Sequence, residues 1–109
     1  MTFVEYQKQS RETAIYPHKD NNLTYPVLGL AGEAGEICNK VKKIMRDNDG
    51  VMPSELYDDL ANELGDVLWY VAAVASELNL DLDTIAINNI KRLIDRKKRN
   101  VLHGSGSNR

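Results

Sequence analysis

The sequence predicts an all-α fold, a four-helix, bundle-like arrangement, from three observations. Apolar residues recur at spacings of three and four along successive stretches, no stretch alternates with period two for long enough to make a strand, and Pro-, Asn-, Asp- and Gly-containing segments separate the stretches. No repeat at a solenoid period is present.

The first helix is expected from Thr2 to about Ile15, with Thr2 as N-cap and Glu5 in the capping-box position three residues later. Its stripe of Phe3, Tyr6, Ser10 and Ala14 is weakly apolar. Pro17 and the polar run His18 to Asn22 make the following segment a loop. From Thr24 to Arg46, Val27, Leu30, Ala31, Ala34, Ile37, Val41 and Ile44 draw an amphipathic second helix. A loop from Asp47 to Pro53 follows, and Ser54 with Glu55 opens a third helix whose apolar set runs from Leu56 through Leu64, Val67, Leu68 and Val71 to Leu78. Asn79 ends it. Asp81 or Asp83 caps a fourth helix bearing Leu82, Ile85, Ala86, Ile90, Leu93 and Ile94 as far as about Arg99. Residues 1–102 are expected to form a single domain, and residues 103–109 a mobile tail rich in glycine and serine.

The 109 residues bear 14 basic and 16 acidic side chains, a net charge of −2, which argues against a protein held to nucleic acid by a bulk positive field. A chain this short buries only about two thirds of its unfolded surface, so self-association would add needed burial. The single cysteine, Cys38, excludes an internal disulfide and a multi-cysteine zinc site, and reads as a small buried apolar residue. No apolar run approaches the length of a membrane span, and the N-terminus lacks a basic region followed by an apolar core. A soluble cytoplasmic protein with no membrane partner is the expectation.

Chemistry concentrates in two short acidic pairs, Glu33-x-x-Glu36 and Glu63-x-x-Asp66, each within an apolar helical stretch. Residues three apart share a helix face, so each pair aims two carboxylates one way from a surface that should pack on another helix. Carboxylates so placed take up protons or acquire cations, and a site of oxygen ligands alone suits Mg²⁺ or Mn²⁺. Gly29, Gly32 and Gly35 beside the first pair, and Gly65 within the second, suggest close approach of the two backbones. Solvated acids on an exposed face are the plain alternative, and flanking Leu30, Ala34, Ile37, Leu64, Val67 and Leu68 weigh against it. A di-iron carboxylate site would require Glu-x-x-His on two helices, whereas His18 and His103 both lie outside the acid helices.

A phosphate substrate also requires cations or amide donors. Lys40 projects from the acid face, and Asn89, Arg92, Arg96 and Arg99 form a polar stripe on the fourth helix. Basic residues at a helix C-terminus also interact favourably with its dipole, which leaves Asn89 and Arg92, nearer the helix middle, as the better substrate contacts. Trp69 and Tyr70 follow Asp66 closely; Trp69 reads as core, and Tyr16 and Tyr25 are candidate pocket residues.

Leu28-Gly-Leu-Ala-Gly-Glu-Ala-Gly-Glu36, Lys40 within Asn39-Lys-Val-Lys-Lys43, Glu63-Leu-Gly-Asp66 with Val67-Leu-Trp-Tyr70, and Asn89-Ile-Lys-Arg-Leu93 resemble the MazG-like nucleotide pyrophosphohydrolases of the all-α NTP pyrophosphatase group. The resemblance spans nearly the whole chain. It implies that Glu33, Glu36, Glu63 and Asp66 bind Mg²⁺; the same oxygen ligands accept Mn²⁺. It further implies cleavage of a nucleoside triphosphate between its α and β phosphates, with one of the acids, or a metal-bound water oriented by another, generating the attacking hydroxide, and with Lys40, Asn89 and Arg92 contacting substrate; Arg96 is added as a substrate contact from the polar stripe of the fourth helix. It implies assembly as a homodimer or a dimer of dimers. Two positions depart from the pattern: Arg92 stands where lysine is usual, which alters the geometry of the charge, and Ser107 where an aspartate is expected. The competing functions are a non-catalytic helical oligomerisation module with a structural cation, and a phosphohydrolase acting on another nucleotide-like metabolite.

Overall fold

A computed structural model describes residues 1–109 and contains four helices in the expected order: α1 (Phe3–Glu12), α2 (Thr24–Asp47), α3 (Leu56–Glu77) and α4 (Leu82–Lys98). There are no strands, and the fold is all-α and bundle-like. The Thr2 hydroxyl accepts the Glu5 N–H at 3.1 Å, as the capping-box spacing predicts. α1 stops at Glu12, short of Ile15, because Thr13 turns its own N–H and hydroxyl back onto the Ser10 carbonyl at 3.0 and 2.6 Å. At the start of α2 the Asn22 side chain accepts the Tyr25 N–H at 3.1 Å. α3 ends where expected: Asn79 adopts φ 56°, and the Leu80 N–H reaches back to the Ala75 carbonyl at 2.8 Å to close a Schellman turn.

α2 and α3 pack along each other, α1 lies across α3, and α4 packs chiefly against α1. Ala72, Ala73 and Ala75 bury the C-terminal part of α3, small enough to let its neighbours approach, while Pro26 and Ile44 are buried near the two ends of α2. A glutamine sets the angle of α4. Gln7 on α1 accepts the Leu82 N–H at 2.8 Å, satisfying an orphan donor at the start of α4, and donates to the Leu80 carbonyl at 2.9 Å and the Ser76 hydroxyl at 3.2 Å. Asp81 occupies the N-cap position but makes no side-chain cap bond.

Beyond Leu82, α4 leaves Ile87, Ile90 and Ile94 about half exposed, at 46, 54 and 50%. The radius of gyration is 16.9 Å, against about 13 Å for a compact domain of this length. The accessible surface is 7988 Å², against about 6,100 Å² for a monomer of this mass.

Three readings of the sequence change. Cys38 is exposed, because it lies on the solvent side of α2 and away from the α3 seam. Of the four helix glycines, only Gly29 meets a neighbour: a Cβ there would fall within the Tyr70 ring, whereas Gly32, Gly35 and Gly65 face open space. The tail is folded. Arg109 donates to the carbonyls of Val101 and Leu102, each at 3.1 Å, and Arg96 holds the Ser107 carbonyl at 2.9 Å.

The loop between α1 and α2 is tied to α3 by one carboxylate. Glu77, with its side chain 1% exposed, accepts from Arg11 at 2.5 Å, the Tyr16 hydroxyl at 2.7 Å, and the N–H groups of Asp20 and Asn22 at 2.8 and 2.6 Å. Burial raises its pKa, but four donors outweigh that and hold it down at about 2. A depressed carboxylate stabilises the fold above its unfolded pKa, near 4.5, and that contribution is lost as pH falls toward 2. Glu77→Ala is expected to cost about 3 kcal/mol by leaving the Tyr16 hydroxyl and the Asp20 and Asn22 amides without their acceptor, and Arg11 with Asp20 as its remaining carboxylate. Glu77→Gln should flatten the loss of stability below pH 4.5; urea unfolding at pH 3 and pH 7 measures both effects.

Candidate functional site

The α2–α3 seam collects three of the four predicted acids. Glu33 on α2 and Glu63 on α3 are half-buried, Asp66 on α3 is exposed, and carboxylate oxygens of the three lie within 4.8 Å of one another. Glu36, one turn beyond Glu33, is exposed and outside this group. Partial burial, then the charge of Asp66 and the adjoining Glu63 carboxyl, with Glu36 a further contributor, push the Glu33 carboxyl up. Like charges this close repel.

Lys40 flanks the cluster. Its Nζ lies 2.8 Å from Glu63 Oε1 and 2.8 Å from Asp59 Oδ2, and these hydrogen bonds, Asp59's foremost, hold it firmly protonated. Asp59 was not singled out from the sequence, although its spacing four residues before Glu63 places both on one face of α3. Glu33 and Asp66 have no basic partner.

The donor set fits a hard divalent cation: oxygen ligands from two helices, excess negative charge, and neither histidine nor cysteine in the group. Glu33, Glu63 and Asp66 are the residues placed to hold it.

The predicted substrate contacts divide. Lys40 is at the cluster, but no hydrogen bond or ion pair joins Asn89, Arg92 or Arg96 to the acids, and the helix bearing them packs chiefly on α1. Asn89 and Arg92 are exposed. Burial and repulsion from Arg109, Arg92 and Arg99 pull the pKa of Arg96 down, the signature of a concentrated positive patch. Trp69 is structural, donating its indole N–H to Thr13 at 2.7 Å and meeting the Tyr70 ring edge-to-face at 5.0 Å.

Residues 22–101 match the family described as MazG nucleotide pyrophosphohydrolase domain. This chain belongs to that family. The MazG match contains both acidic pairs, Lys40 and the α4 stripe. The chain is also 51% identical over 109 residues to the Gene 37 protein of Mycobacterium phage L5, covering 95% of this chain and 96% of that protein. No solved structure matches it.

The MazG acids should report their repulsion thermally. Because the folded-state pKa of Glu33 is raised, ionising it costs stability as pH climbs past 4.5. Glu33→Gln is therefore expected to raise the cation-free melting temperature at pH 7 and to diminish the rise that Mg²⁺ produces in the wild type. Differential scanning calorimetry with Mg²⁺ and with chelator reads both; a wild type indifferent to Mg²⁺ and to Mn²⁺ would speak against a cation at these acids.

Proposed function

We propose that this MazG-family chain is a divalent-cation-dependent nucleoside triphosphate pyrophosphohydrolase that uses Mg²⁺, with Mn²⁺ as a substitute. The observation that carries the reading is the convergence of Glu33, Glu63 and Asp66 from two helices, with Lys40 beside them. Glu36 follows Glu33 by one turn and completes the acidic set on α2. Bound at these acids, a divalent cation would neutralise phosphate oxygens and polarise the phosphorus under attack.

The chain's own groups supply the rest. One carboxylate of the set accepts the proton of the attacking water. Water oxygen bonds to the α phosphorus, the bond from that phosphorus to the bridging oxygen breaks, and pyrophosphate leaves with the electron pair. Lys40, a flexible point charge, exchanges its carboxylate partners for phosphate oxygens.

Asn89, Arg92 and Arg96 reach a substrate most simply from a second copy. The surface of each chain exceeds the expectation for a compact monomer by about 1,900 Å², and interfaces of obligate homodimers bury about 2,000–5,000 Å² in total. The exposed apolar face of α4, beside Asn89 and Arg92, is the surface proposed to be covered in a homodimer or a dimer of dimers.

Two experiments test these readings. Incubation with a panel of ribo- and deoxyribonucleoside triphosphates should release pyrophosphate rather than orthophosphate, only with Mg²⁺ or Mn²⁺. Glu33→Gln, Glu36→Gln, Glu63→Gln and Asp66→Asn should each lower kcat/KM about a hundredfold or more; full turnover in the Glu63 and Asp66 variants would end the proposal. In sedimentation equilibrium the mass should be twice or four times 12.3 kDa, and I90D/I94D should yield the single chain with its helices intact. A monomeric wild type would remove the second-copy role of α4.

A further inference from the structure

Continued toward the start of α2, the seam changes from acidic to aromatic. Tyr25, Gly29 and Glu33 follow one another at intervals of four, on one face of the helix. The Tyr70 ring lies on the backbone at Gly29, where a side chain would collide with it. Tyr16 stacks on Tyr25 with ring centres 4.8 Å apart and planes 11° from parallel. Tyr16 is buried and fixed by Arg11 and Glu77, while Tyr25 remains 42% exposed. In the opposite direction, past Lys40, the seam opens into a cleft of about 230 Å³ that Lys43 also lines. One end of the seam thus carries two lysines with Asp47 beside them, its middle is anionic, and its far end is an anchored π surface. Burial first, then Tyr25, and beyond it Glu33 and Asp66, push the Tyr70 phenol up, so this one side chain senses both the aromatic end and the acids.

A nucleoside triphosphate has the same polarity: charged oxygens at one end and a flat ring at the other, with a sugar between. The eight residues from Glu33 to Tyr25 rise about 12 Å along the helix, and between them the Tyr70 ring fills the space left by the missing side chain at Gly29. We infer that Tyr25 is the residue on which the nucleobase stacks, so that a nucleotide lies along the α2–α3 seam with its phosphates over the carboxylates and toward Lys40. This rests on the pyrophosphohydrolase reading and adds to it an orientation and a specificity-determining residue. Tyr16 acts as a positioning residue, holding the Tyr25 ring flat through its own hydrogen bonds to Arg11 and Glu77.

The test is steady-state kinetics with the triphosphates that the wild type hydrolyses, with inorganic tripolyphosphate as a competitor that has no base. Tyr25→Leu, which keeps bulk without a π face, and Tyr25→Ala are expected to raise KM roughly tenfold or more, because base stacking contributes on that scale. The change should fall on KM rather than kcat, the inhibition constant of tripolyphosphate should stay put, and Tyr25→Phe should recover most of the loss. Unchanged KM in Tyr25→Leu overturns the inference alone, as does a tripolyphosphate constant that rises in step with KM. A wild type that hydrolyses no nucleotide overturns the pyrophosphohydrolase reading and this inference with it.

Discussion

A single buried carboxylate sets the geometry on which the rest of the molecule depends. Glu77 closes α3, and its two oxygens gather four donors from the end of α1 and from the loop that leads into α2. Two of those donors are backbone amides, so the carboxylate fixes the path of the chain as well as the position of side chains. Asp20 is held at φ 73°, a left-handed conformation that a non-glycine residue adopts at a cost. Asn22, held through its N–H, uses its side chain to accept from the first turn of α2. The start of α2 is thereby set against the end of α3. Because both helices are rigid over more than 20 residues, setting one end of the pair sets the register of Glu33 against Glu63 and Asp66 some turns away.

That register is unfavourable for the chain by itself. Three carboxylates meet where helix packing would favour apolar contact, and one lysine offsets only the Glu63 side of the cluster. The buried residues of α2 and α3 are Pro26, Ile44 and the alanines at positions 72, 73 and 75, and none of the acids is among them. Stability is thus forgone at the place where chemistry is proposed, as is usual for sites that need a perturbed charge environment. Gly29 shows the same trade in steric form. The residue weakens α2 locally, and what it admits is the ring of Tyr70 at the point where the acidic part of the seam passes into the aromatic part.

Much of this was legible in the sequence because it depends on local periodicity. The spacing of apolar residues located α2 and α3, Thr2 and Glu5 marked the start of α1, and Asn79 marked the end of α3. The acidic pairs were legible as helix faces, and the seam brings together Glu33, Glu63 and Asp66. What was not legible depends on contacts between residues distant in the chain. Glu77 reads as one more acid at a helix end until its donors, 55 to 66 residues away, are seen. Gln7 reads as a polar residue on α1 until it caps α4 from 75 residues away. The glycines illustrate the limit of local reasoning: four carried the same sequence signal, and only the one opposite Tyr70 is in close contact. The tail's contacts were hidden for a related reason. Its composition is that of a flexible segment, yet Arg109 supplies a cluster of donors that collects the carbonyls of residues 101, 102 and 106.

The shape of the chain bears on its chemistry through α4. Gln7 and Leu82 fasten the first turn of α4 to α1, and from there the helix runs outward with its isoleucines half covered. Ordinary hydrophobic burial would fold such a helix back onto α2 and α3, completing a bundle within one chain. Doing so would carry the arginines at its far end toward the body of the chain, and Arg96 already lies among the like charges of Arg109, Arg92 and Arg99. Leaving α4 extended keeps that positive charge solvated and presents it, beside an apolar stripe, to whatever covers the stripe. The second copy proposed above would bring the matching pieces: an apolar α4 face of its own and an acidic seam deficient in cations. An incomplete core and an incompletely neutralised site would then be two results of one geometry, with a single association relieving both.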